Sequence, residues 1–564
     1  MGFLLLVNSA LELLGLGAIF PIFTVLLEDD VLNKYEWLNS VYNLFSLSSE
    51  KQLIIILSIG MLLIVVGKNI LNLWIVKINA KFALGLYKDL AIKLHKYYYS
   101  RGLSYFKNTN SNVIVRNLRG ATREFSQLQV LGSFNLLNEL IILLLIIIFI
   151  VFAYPKILFL LLFTVLPPFY FFYKWVRRRS IEMGVEYNKL VPIVGKNMFQ
   201  SIFGYVDIIV MGAEKQFRKK IKENIEDLVS INIKTVLYNL APSRVIESSL
   251  MLAIVIIISF GIYYLPSKKD LVMLLGVFVV AGYKIMPSIN RMMISINGLN
   301  RSIWIMDALK PLQNHNLEFN EPVKGVLNPL KFEIQMQLKD ISYRYSENSE
   351  FIFKDYNLTI NKGEIIGVIG SSGSGKTTLM NILLGFIQPT QGNYLIDNVN
   401  LNEINKNSFY DKVGYVQQQV YLIDETIAAN VAFGFGEKEI DFKKLEVALR
   451  RANLWEMIES LPEGVNEHIG ENGTKLSGGQ RQRLGIARAL YSESEILFFD
   501  EATSSLDSET EQEVTEAIQK LSDGKLTIII IAHRLSTLDQ CDRIIRLDTV
   551  NRDLNKSNNR VDNV

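Results

Sequence analysis

The feature that most restricts the fold of this chain is a run of hydrocarbon: Glu139–Pro155 reads ELIILLLIIIFIVFAYP, almost without polar side chains. A helix crossing a bilayer needs about 20 predominantly apolar residues. Six stretches reach that length, roughly 2–27, 52–78, 128–153, 156–175, 236–264 and 271–297. Residues 2–27 lack both the basic lead and the small-residue cleavage site of a signal peptide, so they read as a span. Beyond residue 300 the aliphatic runs stop and the pattern becomes that of a soluble α/β domain. With 564 residues, 49% of them hydrophobic, the chain has room for two or three domains. A net charge of +3 is too small to suggest a nucleic-acid partner. The single cysteine, Cys541, excludes an intrachain disulfide and a cysteine-based metal site, and fits a cytosolic setting.

Lysine and arginine set the orientation. Residues 77–125 carry Lys77, Lys81, Lys88, Lys93, Lys96, Arg101, Lys107, Arg116, Arg119 and Arg123. Residues 174–234 carry Arg177, Arg178, Arg179, Lys215, Arg218, Lys219, Lys220 and more. The opposite connections are short or mildly acidic, as at Glu28, Asp29 and Asp30, so both termini and both basic connections belong in the cytoplasm. Structureless loops of that length are uncommon. They read instead as helices continuing the spans, with turns near Lys107–Ser111 and near Gly204. On the outer side, residues 33–46 place aromatics at helical spacing, which suits an interfacial helix or one packed on the spans.

Within the spans lie four cations, Lys68, Arg244, Lys284 and Arg291, and three acids, Glu12, Glu139 and Glu247. A charge at bilayer depth costs about 2.5–3.5 kcal/mol or more, so each needs a partner or a wet cavity. Lys284 and Arg291, seven apart, share a helix face, and Arg244 and Glu247, three apart, can pair. Two readings follow. Either these are interhelical pairs and snorkelling ends, or unpaired cations line a cavity and hold an anionic group. Four cations against three acids tilt the balance toward the cavity.

After a linker over 311–330 the pattern changes. Residues 333–345 alternate as a strand does, and IIGVIG at 365–370 is a short buried strand. It runs into Gly370, Ser371, Ser372, Gly373, Ser374, Gly375, Lys376 and Thr377, then Thr378 and a helical pattern. This is the phosphate-binding loop GxxxxGK[ST] in its strand–loop–helix setting. The glycines let backbone N–H groups curl around phosphates, Lys376 neutralises the β and γ oxygens, and the Thr377 hydroxyl coordinates Mg²⁺, the signal of a nucleotide-binding domain of unspecified type. Downstream, LSGGQ (Leu476, Ser477, Gly478, Gly479, Gln480) opens a helix. ILFFDEATSSLD then ends an apolar strand in Asp500, suited to Mg²⁺, and Glu501, suited to polarising the attacking water. TIIIIAHR puts His533 at the end of another buried strand, within reach of a γ-phosphate.

Taken together, residues 333–546 resemble the nucleotide-binding domain of ATP-binding-cassette (ABC) proteins: Walker A at 370–377, signature at 476–480, Walker B at 496–501, D-loop at Ser505-Leu506-Asp507 and switch His533. The resemblance implies that Tyr345 stacks on adenine and that Gln418, after Gln417 where Pro is frequent, senses Mg²⁺ and water. It implies that Glu471 contacts the membrane-domain helices. It also implies a homodimer, in which Ser477–Gln480 and Asp507 of one subunit complete the ATP site of the other. A membrane domain ahead of the cassette is similar to ABC exporters. The expected architecture is an α-helical six-span ABC exporter transmembrane domain over 1–310, then an α/β P-loop nucleotide-binding domain over 331–546, with a polar disordered tail over 547–564.

Within exporters, the chain most resembles the lipid-linked oligosaccharide flippase of bacterial protein N-glycosylation, through AGYKIMPSINRMMIS (281–295), APSRVIES (241–248), GKNILNLW (67–74) and ELLGLGAIFPIF (11–22). That resemblance implies that Lys68, Arg244, Lys284 and Arg291 handle a lipid pyrophosphate, that 33–46 engages the polyprenyl tail, and that the protein sits in a bacterial inner membrane. The chain departs from the pattern in starting inside the first span, as a mis-called start or a truncated copy would, and in its C-terminal ending. An exporter of peptides or drugs is the alternative. A non-pumping ABC regulator or channel is disfavoured by the intact Glu501.

Overall fold

The apolar runs fold as long helices, the arrangement that satisfies every backbone N–H and C=O without water. The computed structural model describes residues 2–17, 20–27, 31–153, 155–264, 268–313, 330–402, 406–501, 508–519, 526–532, 538–539 and 541–547. These fall into two units, Met1–Phe319 and Asn320–Val564.

In the first unit the principal helices are α1 (Gly2–Gly17), α2 (Glu36–Leu44), α3 (Glu50–Ser100), α4 (Gly132–Ala153), α5 (Pro155–Phe203), α6 (Glu214–Tyr264) and α7 (Lys268–Arg301). At 51 residues, α3 is about 75 Å long at the usual rise, more than twice the ~30 Å hydrocarbon layer. Among the described residues, the helical runs Lys51–Ser100, Ser111–Ile148 and Glu214–Ile262 are long and apolar enough to cross a membrane. The turns anticipated in the basic connections are present. Thr109 is extended, and Asn110 caps the next helix by accepting from the Asn112 N–H at 2.9 Å. At Gly204 the chain leaves α5, where a Cβ would stand 2.8 Å from the Gln200 carbonyl oxygen.

Side chains of α4 to α7, among them Ile142, Ile146, Val176, Ile246, Ala253, Phe278 and Met293, form one core. Leu38 and Leu53 anchor α2 against the start of α3. By contrast Ile55, Ile59, Leu62, Leu63, Ile70 and Leu73 of α3 are exposed, an apolar face of the kind that meets lipid. A polar stripe runs down α7 through Lys284, Ser288, Arg291 and Ser295, whose spacing keeps them on one face. Below it Asn297 accepts from Ser180 Oγ of α5 (3.2 Å) and donates to Asn239 of α6 (3.0 Å).

The second unit contains β1 (Gln335–Tyr343), β2 (Phe353–Asn361), β3 (Ile365–Gly370), β4 (Gln391–Ile396), β5 (Val399–Asn400), β6 (Val413–Val416), β7 (Ile496–Asp500), β8 (Thr527–Ile531) and β9 (Arg543–Leu547). They make an antiparallel sheet β2-β1-β4-β5 and a parallel sheet β6-β7-β8-β3-β9. The helices used below are α8 (Lys376–Leu383), α9 (Phe442–Arg451), α10 (Gly478–Tyr491) and α11 (Ser508–Gln519). Parallel strands are covered on both faces, which is why β7 and β8 are nearly pure Ile, Leu and Phe. In such sheets ligands gather outside the C-terminal strand ends, here Gly370, Asp500 and Ile531. Beside β3 lies Cys541, whose sulfur would stand 3.2 Å from a Cβ at Gly367. Burial, reinforced by Asp542 and Asp539, pushes its thiol up to about 12.

A tight hairpin joins β4 to β5 through Asp397 and Asn398, both with φ above zero, the backbone that Asp and Asn tolerate best. The Asp397 carboxylate also accepts from the backbone N–H groups of Glu333, Ile334 (2.9 Å) and Gln335 (2.8 Å). Partial burial opposes its ionisation, but those three donors, with Lys362, outweigh it and hold the carboxyl below its usual range. A depressed pKa contributes stability above the unfolded value that is lost as pH falls through the folded one. Asp397→Asn, which keeps the turn, is expected to destabilise the cassette by about 1 kcal/mol at neutral pH. Thermal unfolding across pH should show the gap between variant and wild type closing below about pH 4.

Candidate functional site

The phosphate loop is built by glycines that nothing else can replace. Gly373 and Gly375 have φ of +82° and +100°. A Cβ at Gly375 would stand 2.9 Å from Ile352 Cγ2, and one at Gly370 only 2.3 Å from the Leu547 carbonyl oxygen. The loop delivers the chain into α8, whose first residue, Lys376, is buried. Its Nζ donates to the carbonyls of Gly370 (2.9 Å) and Ser371 (3.1 Å), which hold the ammonium over the loop. Ser374 Oγ is buried with no hydrogen-bond partner among the described residues. Ser371, Ser372 and Thr377 are exposed, while Thr378 is buried and its Oγ1 lies 3.0 Å from the Tyr345 hydroxyl. Tyr345 is itself 63% exposed and set edge-on to Tyr343, 5.3 Å between centroids, beside the N-terminus of α8.

This donor set fits a nucleoside triphosphate: a helix N-terminus, a poised cation, a hydroxyl in need of a partner and an available aromatic ring. For Mg²⁺ the hard oxygens at hand are the Thr377 hydroxyl, the Asp500 carboxylate and the Gln418 amide. Among the described residues no cluster of three His, Cys, Asp or Glu suits a metal, but Mg²⁺ bound to phosphates needs only one or two carboxylates.

Across the sheet, β7 ends in Asp500 and the chain turns at Glu501, whose φ of +48° is unusual for a side-chain-bearing residue. Its N–H donates to the Ile531 carbonyl at 3.0 Å, which fixes that turn. Gln418 Nε2 donates to Glu501 Oε2 at 3.0 Å, so the residues expected to handle water and metal are joined. The Tyr415 hydroxyl donates to Asp500 Oδ2 at 3.2 Å. Burial, then the Asp500 charge, raises the phenol pKa, so the group stays a donor. Sequence reasoning missed Tyr415, although a tyrosine in a strand paired to the Walker B strand has a hydroxyl that must find a partner. His533, Ser505, Leu506 and Asp507 lie outside the described residues.

The signature opens α10 with a capping box: Ser477 Oγ accepts from the Gln480 N–H (3.2 Å) and Gln480 Oε1 accepts from the Ser477 N–H (2.8 Å). Gly478 is exposed and Gly479 buried beneath it. Farther along α10, Gln482 Nε2 donates to the Gln417 carbonyl at 3.1 Å, and Arg488 donates to the carbonyls of Tyr421 and Asn430. The signature helix and the segment after Gln418 are thus tied together.

The four cations expected within the spans are all paired, which corrects the expectation of unpaired cations. Arg244 pairs with Glu247 at 2.9 Å on an exposed surface. Arg291 holds the buried Glu139 with two nitrogens, at 2.6 and 3.1 Å. Lys68 Nζ lies 2.8 Å from Glu12 Oε2, and Lys284 Nζ contacts the same oxygen. Counting four cations against three acids failed because one carboxylate serves two lysines, the cheapest way to keep both countered at bilayer depth. The surplus positive charge therefore resides in a mostly buried triad from α1, α3 and α7, with Asn72 Nδ2 3.4 Å from Glu12 Oε1.

The family model for the ABC transporter transmembrane region matches residues 3–281, and that for the ABC transporter matches 353–504. A Cupriavidus pinatubonensis protein named ATP-dependent lipid A-core flippase is 31% identical over 390 residues, 69% of this chain and 65% of that protein. Its Bordetella avium namesake is 41% identical over 244 residues, 43% of this chain and 39% of that protein. Less than two thirds of each relative's length is matched. The fold is similar to the structure of a bacterial Atm1-family ABC exporter with ATP bound, with a TM-score of 0.73 and 21% identity over 96% of this chain and 92% of that one. The chain belongs to the ABC transporter family, in the exporter arrangement that joins a multi-pass membrane region to an ATPase cassette on one polypeptide.

Proposed function

We propose that this chain hydrolyses ATP to flip a polyprenyl-diphosphate-linked oligosaccharide across a bacterial inner membrane. It works as two identical copies, each with six spans and a cytoplasmic cassette. The observation that carries the substrate class is the Lys68–Glu12–Lys284 triad, an excess of positive charge kept inside an apolar helical unit. A protein with no anionic cargo has little reason to bear that cost.

In the motor, Lys376 and the N–H groups of 371–377 cradle the phosphates, and Tyr345 stacks on adenine. Thr377, Gln418 and Asp500 would hold Mg²⁺, which when bound would supply neutralisation of the phosphate charge. Glu501 draws a proton from the attacking water, with Gln418 orienting both and His533 at the γ-phosphate. Ser477–Gln480 and Asp507 from the second copy complete the site. Tyr415 fixes the rotamer of Asp500, the carboxylate that would hold Mg²⁺. Tyr415→Phe should therefore raise the Mg²⁺ concentration for half-maximal activity about three- to tenfold, as loss of one hydrogen bond to a charged group implies. Nucleotide binding in EDTA should stay unchanged.

A second reading has support in the names of the relatives: a phosphorylated lipid A-type glycolipid, also anionic, as cargo. The test is ATP-dependent movement in liposomes of a polyprenyl-diphosphate oligosaccharide beside lipid A-core, with Glu501→Gln as the inactive control. Movement of the first alone supports the proposal. Movement of lipid A-core alone replaces it, and ATP hydrolysis with neither leads to peptides and drugs.

A further inference from the structure

We infer that Glu12 is a resident anion that occupies the cationic site and must be displaced by cargo, so that it sets the minimum charge a headgroup needs. This rests on the anionic-cargo reading above and concerns the regulation of that same site. Glu12 Oε2 contacts both Lys68 and Lys284, whose side chains are only 14% and 15% exposed. One negative charge facing two positive ones leaves the triad at +1. A monoanionic headgroup taking the place of the carboxylate gains nothing in charge balance. A dianionic phosphate or diphosphate neutralises both lysines, and its gain is largest where water is scarce.

Two further features fit an exchange of anions. Ser288, one turn beyond Lys284 on the same face of α7, is fully buried and its Oγ has no hydrogen-bond partner among the described residues. A phosphate oxygen would accept from that hydroxyl. Glu12 also has its own retreat: Asn72 lies 3.4 Å from its second oxygen, and Asn8, one turn back on α1, is buried and hydrogen-bonded to Asn138 of α4. The carboxylate can therefore leave the lysines without losing every polar neighbour.

The experiment measures binding of farnesyl diphosphate, with at least two negative charges at neutral pH, and farnesyl methyl phosphate, a phosphodiester with one, to the full chain in nanodiscs, with thermal unfolding as the check on folding. In wild type the diphosphate binds more tightly. Removing the competing charge in Glu12→Gln should tighten both probes by about tenfold. A folded Glu12→Gln protein that binds them equally or more weakly overturns the inference and makes Glu12 a strut between helices. Should that variant not fold, Lys68→Met decides: with only Lys284 facing Glu12, preference for the diphosphate should vanish, and a preserved preference overturns the inference. The two readings fail separately. Unimproved binding in Glu12→Gln alongside intact glycan transport sinks this one alone. The expected tightening alongside failed transport leaves it standing and sinks the flippase.

Discussion

Glu501→Gln is expected to cut phosphate release by about 10²–10⁴-fold, the usual worth of a positioned general base, while ATP affinity stays within about twofold. The substitution isolates one property. Glutamine keeps a side-chain oxygen able to accept from Gln418 Nε2, a bond of 3.0 Å in the native site. The backbone bond from residue 501 to Ile531 is untouched. Only the charge and basicity go, so single-turnover hydrolysis reads the chemistry without a change in fold. A loss under tenfold would remove Glu501 from the role of base and turn attention to His533.

Lys376→Ala is expected to weaken ATP binding by about 10–100-fold, since charge-assisted hydrogen bonds are worth about 1.5–3 kcal/mol and each 1.4 kcal/mol is tenfold. The ammonium already stands over the loop, held by the Gly370 and Ser371 carbonyls. Bringing it to the phosphates thus needs little reorganisation, and its removal takes away the ammonium held over the loop. Equilibrium binding of a fluorescent ATP analogue checks this directly. Lys376→Arg separates charge from fit, because a guanidinium is too large for a buried position one residue after Gly375. If Arg restores binding fully, charge alone matters and the tight loop geometry does not.

Much of the cassette was legible because its signals are local. Buried parallel strands need continuous aliphatic runs, and IIGVIG, ILFF and TIIII fold as β3, β7 and β8. The breaks at 109–110 and Gly204 followed from turn residues in otherwise helical text. Charge pairing in the membrane half was not legible. The partners of Glu12 lie 56 and 272 residues away, and Arg291 meets Glu139 across 152. No periodicity carries such information, and a count of signs cannot reveal that one carboxylate is shared. The same holds for Tyr415 on Asp500, 85 residues apart, and for Asp397, whose local signal marks a turn but not the strand entry that it caps 62 to 64 residues earlier.

The half-buried Cys541 has a practical side. It is the chain's single thiol, and burial, which pushes its pKa up to about 12, keeps it far less ionised at neutral pH than a free cysteine. Maleimides and spin labels react with thiolates. A cysteine introduced at an exposed position such as Val210 or Tyr283 will be modified long before the native one. The natural sequence thus already serves as a background for distance measurements between labelled sites during turnover, with no residue of the cassette needing removal first.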